Sequence, residues 1–383
     1  MAAVRGRTVV AAGAPTVTAG KVLVTTVDPE AQGGVSAFWN AVGPFLGPSA
    51  EYFVVGRRHR ERGAARIAAR ILADWGRLRR VLDAGGFDLV HLNPSLGPKA
   101  LLRDAVSLAM VRRRGVRSLV FLHGWDPQTE ALLEGHWLSL FRRTYLRADG
   151  IIVLAREFED RLRRMGYAGP IYVATTAVPE HAFDRAPADG PRPEGVRLLY
   201  LSRIEPRKGA AEAIRAFALL EKRHPGVTLT LAGVGPELPS LSALIRDLGL
   251  TRARLVGQVT GAMKTKVFAD ADIFVFPTLY GEGMPTVVLE AMAQGLPIVT
   301  RPVGGIADFF ESGRMGYSTP SEDPAVIASF VERLVVDPDA RRAMGEYNRE
   351  FARRRFHASV VADRLTSIHE EMMARPAPPK ARS

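Results

Sequence analysis

The chain is predicted to fold as two successive doubly wound α/β domains that face each other across a cleft. Short β-branched runs alternate with amphipathic stretches over most of the 383 residues, the pattern of βαβ units on parallel sheets. The alternation breaks at "AFDRAPADGPRPEG" (182–195), rich in Pro, Gly and charge, and then restarts. The length suffices for two separate cores, and 47% hydrophobic with 24% charged residues describes a globular chain, not a disordered one.

In the first half, "KVLVTTV" (21–27), "YFVVG" (52–56), "FDLVHLN" (87–93), "RSLVFLHG" (117–124) and "GIIVLA" (150–155) read as buried strands. Between them, "ARIAARILADWGRLRRVL" (65–82) sets Ile67, Ile71, Trp75, Leu78 and Leu82 on one helical face. In the second half the strands are "VRLLYLSRI" (196–204), "VTLTLAGVG" (227–235), "ARLVGQV" (253–259), "ADIFVFP" (271–277) and "LPIVTRP" (296–302). The expected organisation is a frayed extension over 1–20 and a first domain over 21–185. A linker over 186–195 leads to a second domain over 196–354. A helix over 355–373 returns towards the first domain, and the tail "ARPAPPKARS" (374–383) is disordered. Ligands of such sheets sit beyond the carboxyl ends of the strands, so the natural site is the cleft between the domains.

The chain has no cysteine, which excludes disulfides and thiolate metal sites and suits a reducing compartment. The N-terminal stretch only weakly imitates a signal peptide, and no window approaches the roughly 18–20 apolar residues of a spanning helix. The expectation is a cytoplasmic protein, able to sit peripherally at the inner face of the membrane. Net charge is +12, and residues 57–117 alone hold 15 bases against 5 acids. Such a surface favours anionic lipid, nucleic acid or phosphorylated substrates, or serves solubility alone. No nucleic-acid reading module accompanies it, so no nucleic-acid partner is expected.

The chemistry concentrates in "GEGMPTVVLEAMAQG" (281–295), where Glu282 and Glu290 stand eight positions apart. Pro285 suits the first position of a helix, whose unpaired N–H groups favour an anion, and Thr286 can add a hydroxyl to a bound phosphate. Glu290 falls inside the apolar helix, where a carboxylate is costly unless hydrogen-bonded, and the two vicinal hydroxyls of a ribose are a suitable partner. Glu282, at the loop tip, can accept from a second polyol a diphosphate's length away. In "LSRIEPRKG" (201–209), Arg203 ends a strand and Lys208 opens a helix, a fork and a point charge for phosphate. In "AQGGVSAFW" (31–39), Gly33 and Gly34 let backbone approach a phosphate closely, although a tight βα connection needs the same residues.

Together these stretches resemble the retaining family 4 glycosyltransferases (glycosyl transferases group 1) of GT-B fold. The resemblance covers most of 21–373 and is most specific over 281–305, ending in "PVGG". It implies an acceptor-side first domain (21–185) and a nucleotide-sugar-binding second domain (196–354), in which Arg203 and Lys208 neutralise the leaving diphosphate. It implies too that Glu290 holds the ribose, and that Glu282 with the backbone of Gly283 and Met284 holds the sugar hydroxyls. Gly34 then abuts the phosphates, and Gly257 to Val259 flank the base. His123, in "FLHGW", matches the family's first-domain histidine beside the anomeric carbon; a lone histidine at a strand end is otherwise structural. The chain departs from the family at "TTAVPEHAF", in place of an Asn-Gly-Val turn, and at "GGIADFF", which leaves Asp308 where a glutamate is common.

The resemblance implies a retaining, metal-independent sugar transfer from a nucleotide-diphosphate donor to a glycan or lipid-linked acceptor, in cell-surface polysaccharide or glycolipid synthesis. No cofactor is expected, and with no DxD-type or His-cluster site in the sequence the basic pair takes the place of a divalent cation. Two rivals remain: a nucleotide-sugar 2-epimerase of the same fold, which needs extra acids around the sugar, and a non-catalytic polyanion binder.

Overall fold

The computed structural model describes residues 20–376 apart from Gln32, Arg57, His59, Arg60, Arg62, 126–129, Leu132, Glu134, His136, 185–193 and 280–282. All but the last residue of the expected N-terminal extension, most of the linker, Glu282 and most of the C-terminal tail therefore lie outside the described residues.

In the first domain the order is β1 (Val22–Thr26), α1 (Gly34–Val42), β2 (Ala50–Val54), α2 (Ala64–Ala84), β3 (Leu89–Leu92), α3 (Pro98–Arg113) and β4 (Arg117–Leu122). It continues with α4 (Leu138–Arg143), β5 (Gly150–Val153), α5 (Arg156–Arg164) and β6 (Ile171–Val173). Its six strands are all parallel in the order β2-β1-β3-β4-β5-β6. The second domain runs β7 (Arg197–Leu201), α6 (Ala210–Glu221), β8 (Thr228–Ala232), α7 (Leu238–Asp247), β9 (Ala253–Gly257) and α8 (Gly261–Ala269). Then come β10 (Ile273–Phe276), α9 (Thr286–Ala293), β11 (Ile298–Thr300), β12 (Gly316–Ser318), α10 (Pro324–Val336) and α11 (Pro338–Phe356). This sheet is also parallel, in the order β12-β11-β10-β7-β8-β9.

Central strands such as β3, β5 and β10 are buried along their whole length, as a sheet covered on both faces requires. The edge strand β2 begins two residues earlier than its apolar run and is half-exposed. Two strands, β6 and β12, carry no sequence expectation, because three residues are too few to show a period. On α2 the expected stripe is only partly interior: Leu78 and Leu82 are buried, while Ile67, Ile71 and Trp75 are half-buried and Asp74 takes the inner position. Arg58, Arg70 and Arg77 converge on the Asp74 carboxylate.

The last helix, α12 (Ala358–Ala374), crosses back to the first domain. It buries Val361, Leu365, Ile368 and Met372, and Tyr172 donates to Glu371 at 2.7 Å. A Cβ on Gly150 would fall 2.7 Å from Met372 Sδ, so β5 and α12 meet closely. The chain thus passes between the domains twice, and the passages touch: Val178 pairs with His357 in parallel, with Val178 N–H on Phe356 O at 2.7 Å and Ala358 N–H on Val178 O at 3.1 Å. No helix among the described residues is long and apolar enough to cross a membrane.

Candidate functional site

Each sheet has a point where the strand order reverses, between β1 and β3 in the first domain and between β7 and β10 in the second. Crevices form beyond the carboxyl ends of the strands at such points. The two crevices face one another and enclose a cavity of about 590 Å³. Its walls come from the residues after β1 (Gly34, Val35), after β3 (Pro94 to Leu96) and after β4 (His123 to Trp125). The opposite side is Leu201 to Arg203 and Lys208 after β7, with Phe276 and Gly283 to Val287 after β10. Among the described residues no carboxylate lines this cavity, and its two cations are Arg203 and Lys208.

Two helix starts open onto it. Gly33, at the N-cap of α1, and Pro285, at the N-cap of α9, supply no side-chain cap, and neither first turn carries an acid. The orphan N–H groups of both helices therefore add positive potential to the two cationic side chains. A Cβ on Gly34 would meet no protein atom within 4 Å, so the open space there lies on the cavity side and not in the protein's own packing.

The loop carrying Lys208 is clamped from below. Arg207 adopts a left-handed conformation (φ 66°), its carbonyl accepts from Leu279 N–H at 2.7 Å, and a Cβ on Gly209 would fall 2.4 Å from Pro277 O. Lys208 is 5% exposed at the cavity floor, and its carbonyl accepts from the buried Tyr200 hydroxyl at 3.0 Å. Arg203 stands at the rim, its side chain 67% exposed, with Nη1 2.5 Å from Glu205 Oε1.

The domains meet at glycine. A Cβ on Gly283 would lie 2.9 Å from His123 O and 3.2 Å from Gly124 Cα, and one on Gly305 would lie 2.6 Å from Leu154 O. Gly305 N–H donates to Gly283 O at 2.7 Å, which joins the two loops. Beside them, Asp308 Oδ2 accepts from Arg156 N–H at 2.8 Å, so a second-domain carboxylate caps the start of α5.

His123 closes the first-domain wall. Its ring stacks on Phe121 at 3.8 Å, with the edge of Phe38 at 5.2 Å, and burial pushes its pKa down to about 3. It is a neutral imidazole at physiological pH. Nε2 lies 2.7 Å from Asn93 Oδ1.

The fold therefore gathers Arg203, Lys208, His123, Gly34, Gly283, Met284, Pro285 and Thr286 at one cavity, with Gly33 next to Gly34 at the helix start. Three expected residues are not on its wall. Glu290 is buried inside α9 and its carboxylate engages Lys264, with Nζ 2.7 Å from each oxygen. Their neighbours are Gln294 and His181, around a small separate hollow. Gly257 ends the outer strand β9, where its carbonyl accepts from Gly233 N–H at 2.7 Å, and Val259 is half-buried against the core. Lys264 and Asn93 are the residues that sequence reasoning missed. Asn93 carried a signal, a polar residue ending the apolar run "FDLVHLN"; Lys264, in "GAMKTK", carried none.

Comparison with known proteins places this geometry. Residues 185–351 match the family model described as Glycosyl transferases group 1, and residues 35–181 match Glycosyltransferase Family 4. The glycogen synthase of Mycobacterium tuberculosis is 30% identical over 255 residues, covering 63% of this chain and 61% of that protein. The chain thus spans about three fifths of the length of that curated relative. Among solved structures, sucrose-phosphate synthase from Thermosynechococcus elongatus superposes with a TM-score of 0.73 at 20% identity, over 93% of this chain and 99% of that one. HepE of Anabaena, solved in complex with UDP and glucose, gives a TM-score of 0.69 at 18% identity, over 92% and 100%. Two family matches follow each other in chain order, one on each half of a GT-B architecture, and the chain belongs to the family 4 glycosyltransferases.

Proposed function

We propose that the chain transfers a sugar, with retention, from a nucleoside-diphosphate donor to a hydroxyl acceptor presented by the first domain. The observation that carries this reading is the interdomain cavity, which has two uncapped helix starts, Arg203 and Lys208, and no carboxylate among its described lining residues. A diphosphate leaving group builds negative charge as the glycosidic bond breaks. Donors fixed in advance around that charge stabilise the transition state without reorganising. The volume, about 590 Å³, is within the range of small-molecule sites. Uridine is the first base to try, since HepE was solved with UDP.

In this reading, the backbone at Gly283 and Met284, together with Glu282, holds the sugar hydroxyls, and Gly257 to Val259 flank the base. Glu290 takes the ribose once Lys264 yields its place. A 2-epimerase would need proton-abstracting acids around the sugar, and the described wall offers none.

The acceptor class proposed is a growing glycan or a lipid-linked sugar. On α2 and α3, Leu72 (64% exposed) and Leu102 (51% exposed) flank the contact between Trp75 and Arg103. Exposed Arg66, Arg79 and Arg80 share the α2 surface. Exposed apolar side chains among cations suit an anionic bilayer. Sedimentation with phosphatidylglycerol vesicles is expected to bring the protein down at low salt and release it at high salt; sedimentation indifferent to salt or lipid charge would count against membrane docking.

The donor reading is tested by thermal shift against UDP-, GDP- and ADP-sugars, where one base is expected to raise the melting temperature by mass action. Lys208→Ala is expected to lower kcat/KM by a factor on the order of 10² or more, as loss of one buried transition-state donor does. Turnover within a few-fold of the parent would remove Lys208 from the mechanism.

A further inference from the structure

Arg301, directly after β11, is 1% exposed. Its hydrogen bonds go to backbone carbonyls: Nε donates to Ser321 O at 2.9 Å and Nη1 donates to Pro277 O. Nη2 has no hydrogen-bond partner among the described residues. The acids whose fields reach the guanidinium are Glu212, half-buried on the first turn of α6, and the exposed Glu322; its described hydrogen bonds end on neither. A charge buried on neutral carbonyls costs stability that an apolar side chain of similar size would not. Folding alone therefore gives no reason for a cation here.

Its place in the fold gives one. Pro277 follows Phe276, which lines the interdomain cavity, and Pro277 O is the carbonyl against which Gly209 sits, where a Cβ would not fit. Gly209 is the neighbour of Lys208, the cation of the cavity floor. One residue before Arg301, Thr300 Oγ1 donates to Phe276 O at 2.8 Å, so successive residues at the end of β11 grip successive carbonyls at the end of β10. Ser321 belongs to the segment after β12. The guanidinium thus joins the ends of three adjacent strands and stands one carbonyl away from the turn that bears Lys208.

We propose that Arg301 is a positioning residue for the transfer reaction: a buried, fixed cation that tethers the segments leaving β10 and β12 and, from behind the Pro277–Gly209 contact, adds to the positive potential that Lys208 presents to the donor diphosphate. The inference rests on the sugar-nucleotide reading of the cavity. Arg301 is not on the cavity wall and touches no substrate. Its field acts through protein, where solvent and salt screen it little. Because the side chain is held before any ligand arrives, nothing has to reorganise as the leaving group gains charge. Burial lowers the pKa from the ordinary arginine value, yet a guanidinium stays protonated throughout the physiological range.

The test is calorimetric titration of the full chain with UDP, GDP and ADP, with the nucleoside of whichever binds, measured by competition, as the uncharged control. Arg301→Gln removes the charge and keeps an amide that can donate to a carbonyl, whereas Arg301→Lys keeps the charge and gives up the fork. Arg301→Gln is expected to bind the diphosphate about tenfold more weakly with nucleoside affinity unchanged, since a unit charge roughly 10 Å from an anion is worth on the order of tenfold at an effective dielectric of about 20. Arg301→Lys is expected to stay within about threefold of the parent for both ligands. In turnover Arg301→Gln should also lower kcat, because the departing diphosphate carries more charge in the transition state than in the bound donor. A mechanical prop would weaken diphosphate and nucleoside together in both variants, and that result would overturn the proposal. So would parental diphosphate affinity in Arg301→Gln. If Arg301→Gln does not fold, Arg301→Met takes its place; failure of both neutral variants beside a folded Arg301→Lys would assign the charge to stability and overturn its role at the donor. A parent that binds none of the three diphosphates would overturn the donor-site reading itself, whereas a parent that binds one, with the Gln result against expectation, would overturn Arg301 alone.

Discussion

At the scale of the residue, Glu290, for which we propose a ribose-binding role, is held by Lys264. A carboxylate inside an apolar helix must find a counter-charge or a proton donor, and Lys264 reaches both of its oxygens at 2.7 Å. A ribose that is to use Glu290 competes with this contact. Glu290→Gln keeps the shape but removes the charge, and is expected to raise donor KM by roughly one order of magnitude with little change in kcat, the mark of lost ground-state binding. Equal KM for parent and variant would take Glu290 out of the donor site. Glu290→Ala is expected to cost more stability, of order 1–3 kcal/mol, because it strands the partially buried ammonium of Lys264. The acid itself was legible in the sequence, since a glutamate in "VVLEAMA" breaks an apolar run. Its partner was not, because Lys264 lies 26 positions upstream on another helix and only the fold brings them together.

At the scale of the element, loops after strands carry the site and glycine sets how near they come. The turn around Gly283 touches the His123–Gly124 backbone, and the turn around Gly305 touches Leu154. Gly283→Ala would put a methyl 2.9 Å from His123 O, closer than real Cβ atoms come, so the domains must part to admit it. The expected outcome is a loss of kcat/KM of about tenfold or more with the melting temperature shifted little, since each domain core is untouched. Unchanged kinetics would mean that this approach is not needed for turnover. Strand and helix alternation and the succession of two parallel sheets were readable from periodicity and from Gly-Pro punctuation. The short edge strands β6 and β12 were not, and neither was the Asp308 cap on α5, because a cap donated across a domain interface leaves no local spacing to read.

At the scale of the whole molecule, several histidines are folded in neutral. Burial lowers His91 well below its ordinary value, His369 to about 4 and His123 to about 3. His91 Nδ1 and His369 Nε2 are 2.8 Å apart, tying β3 to α12. Below about pH 6.5 the unfolded chain binds protons that these native rings refuse, so stability rises with pH up to that point and falls as pH drops beneath it. His123 and His369 are each expected to cost about 2 kcal/mol by pH 5. Urea unfolding between pH 7.5 and 5 measures the slope, and His369→Gln should flatten it; a midpoint constant over that range would show that the rings titrate normally. The basic bias of the chain was read correctly as a sum, yet in α2 its arginines partly face inward on Asp74, an arrangement that a charge count does not reveal.

The paired passages at Val178 and His357 bear on how the two lobes can move. A lobe suspended from one strand can swivel in any sense about that strand. Suspended from two that are bonded side by side, it loses torsion and keeps a single swing, like a door on two pins. Opening and shutting would then follow one track, returning His123 and Lys208 to the same separation at each cycle.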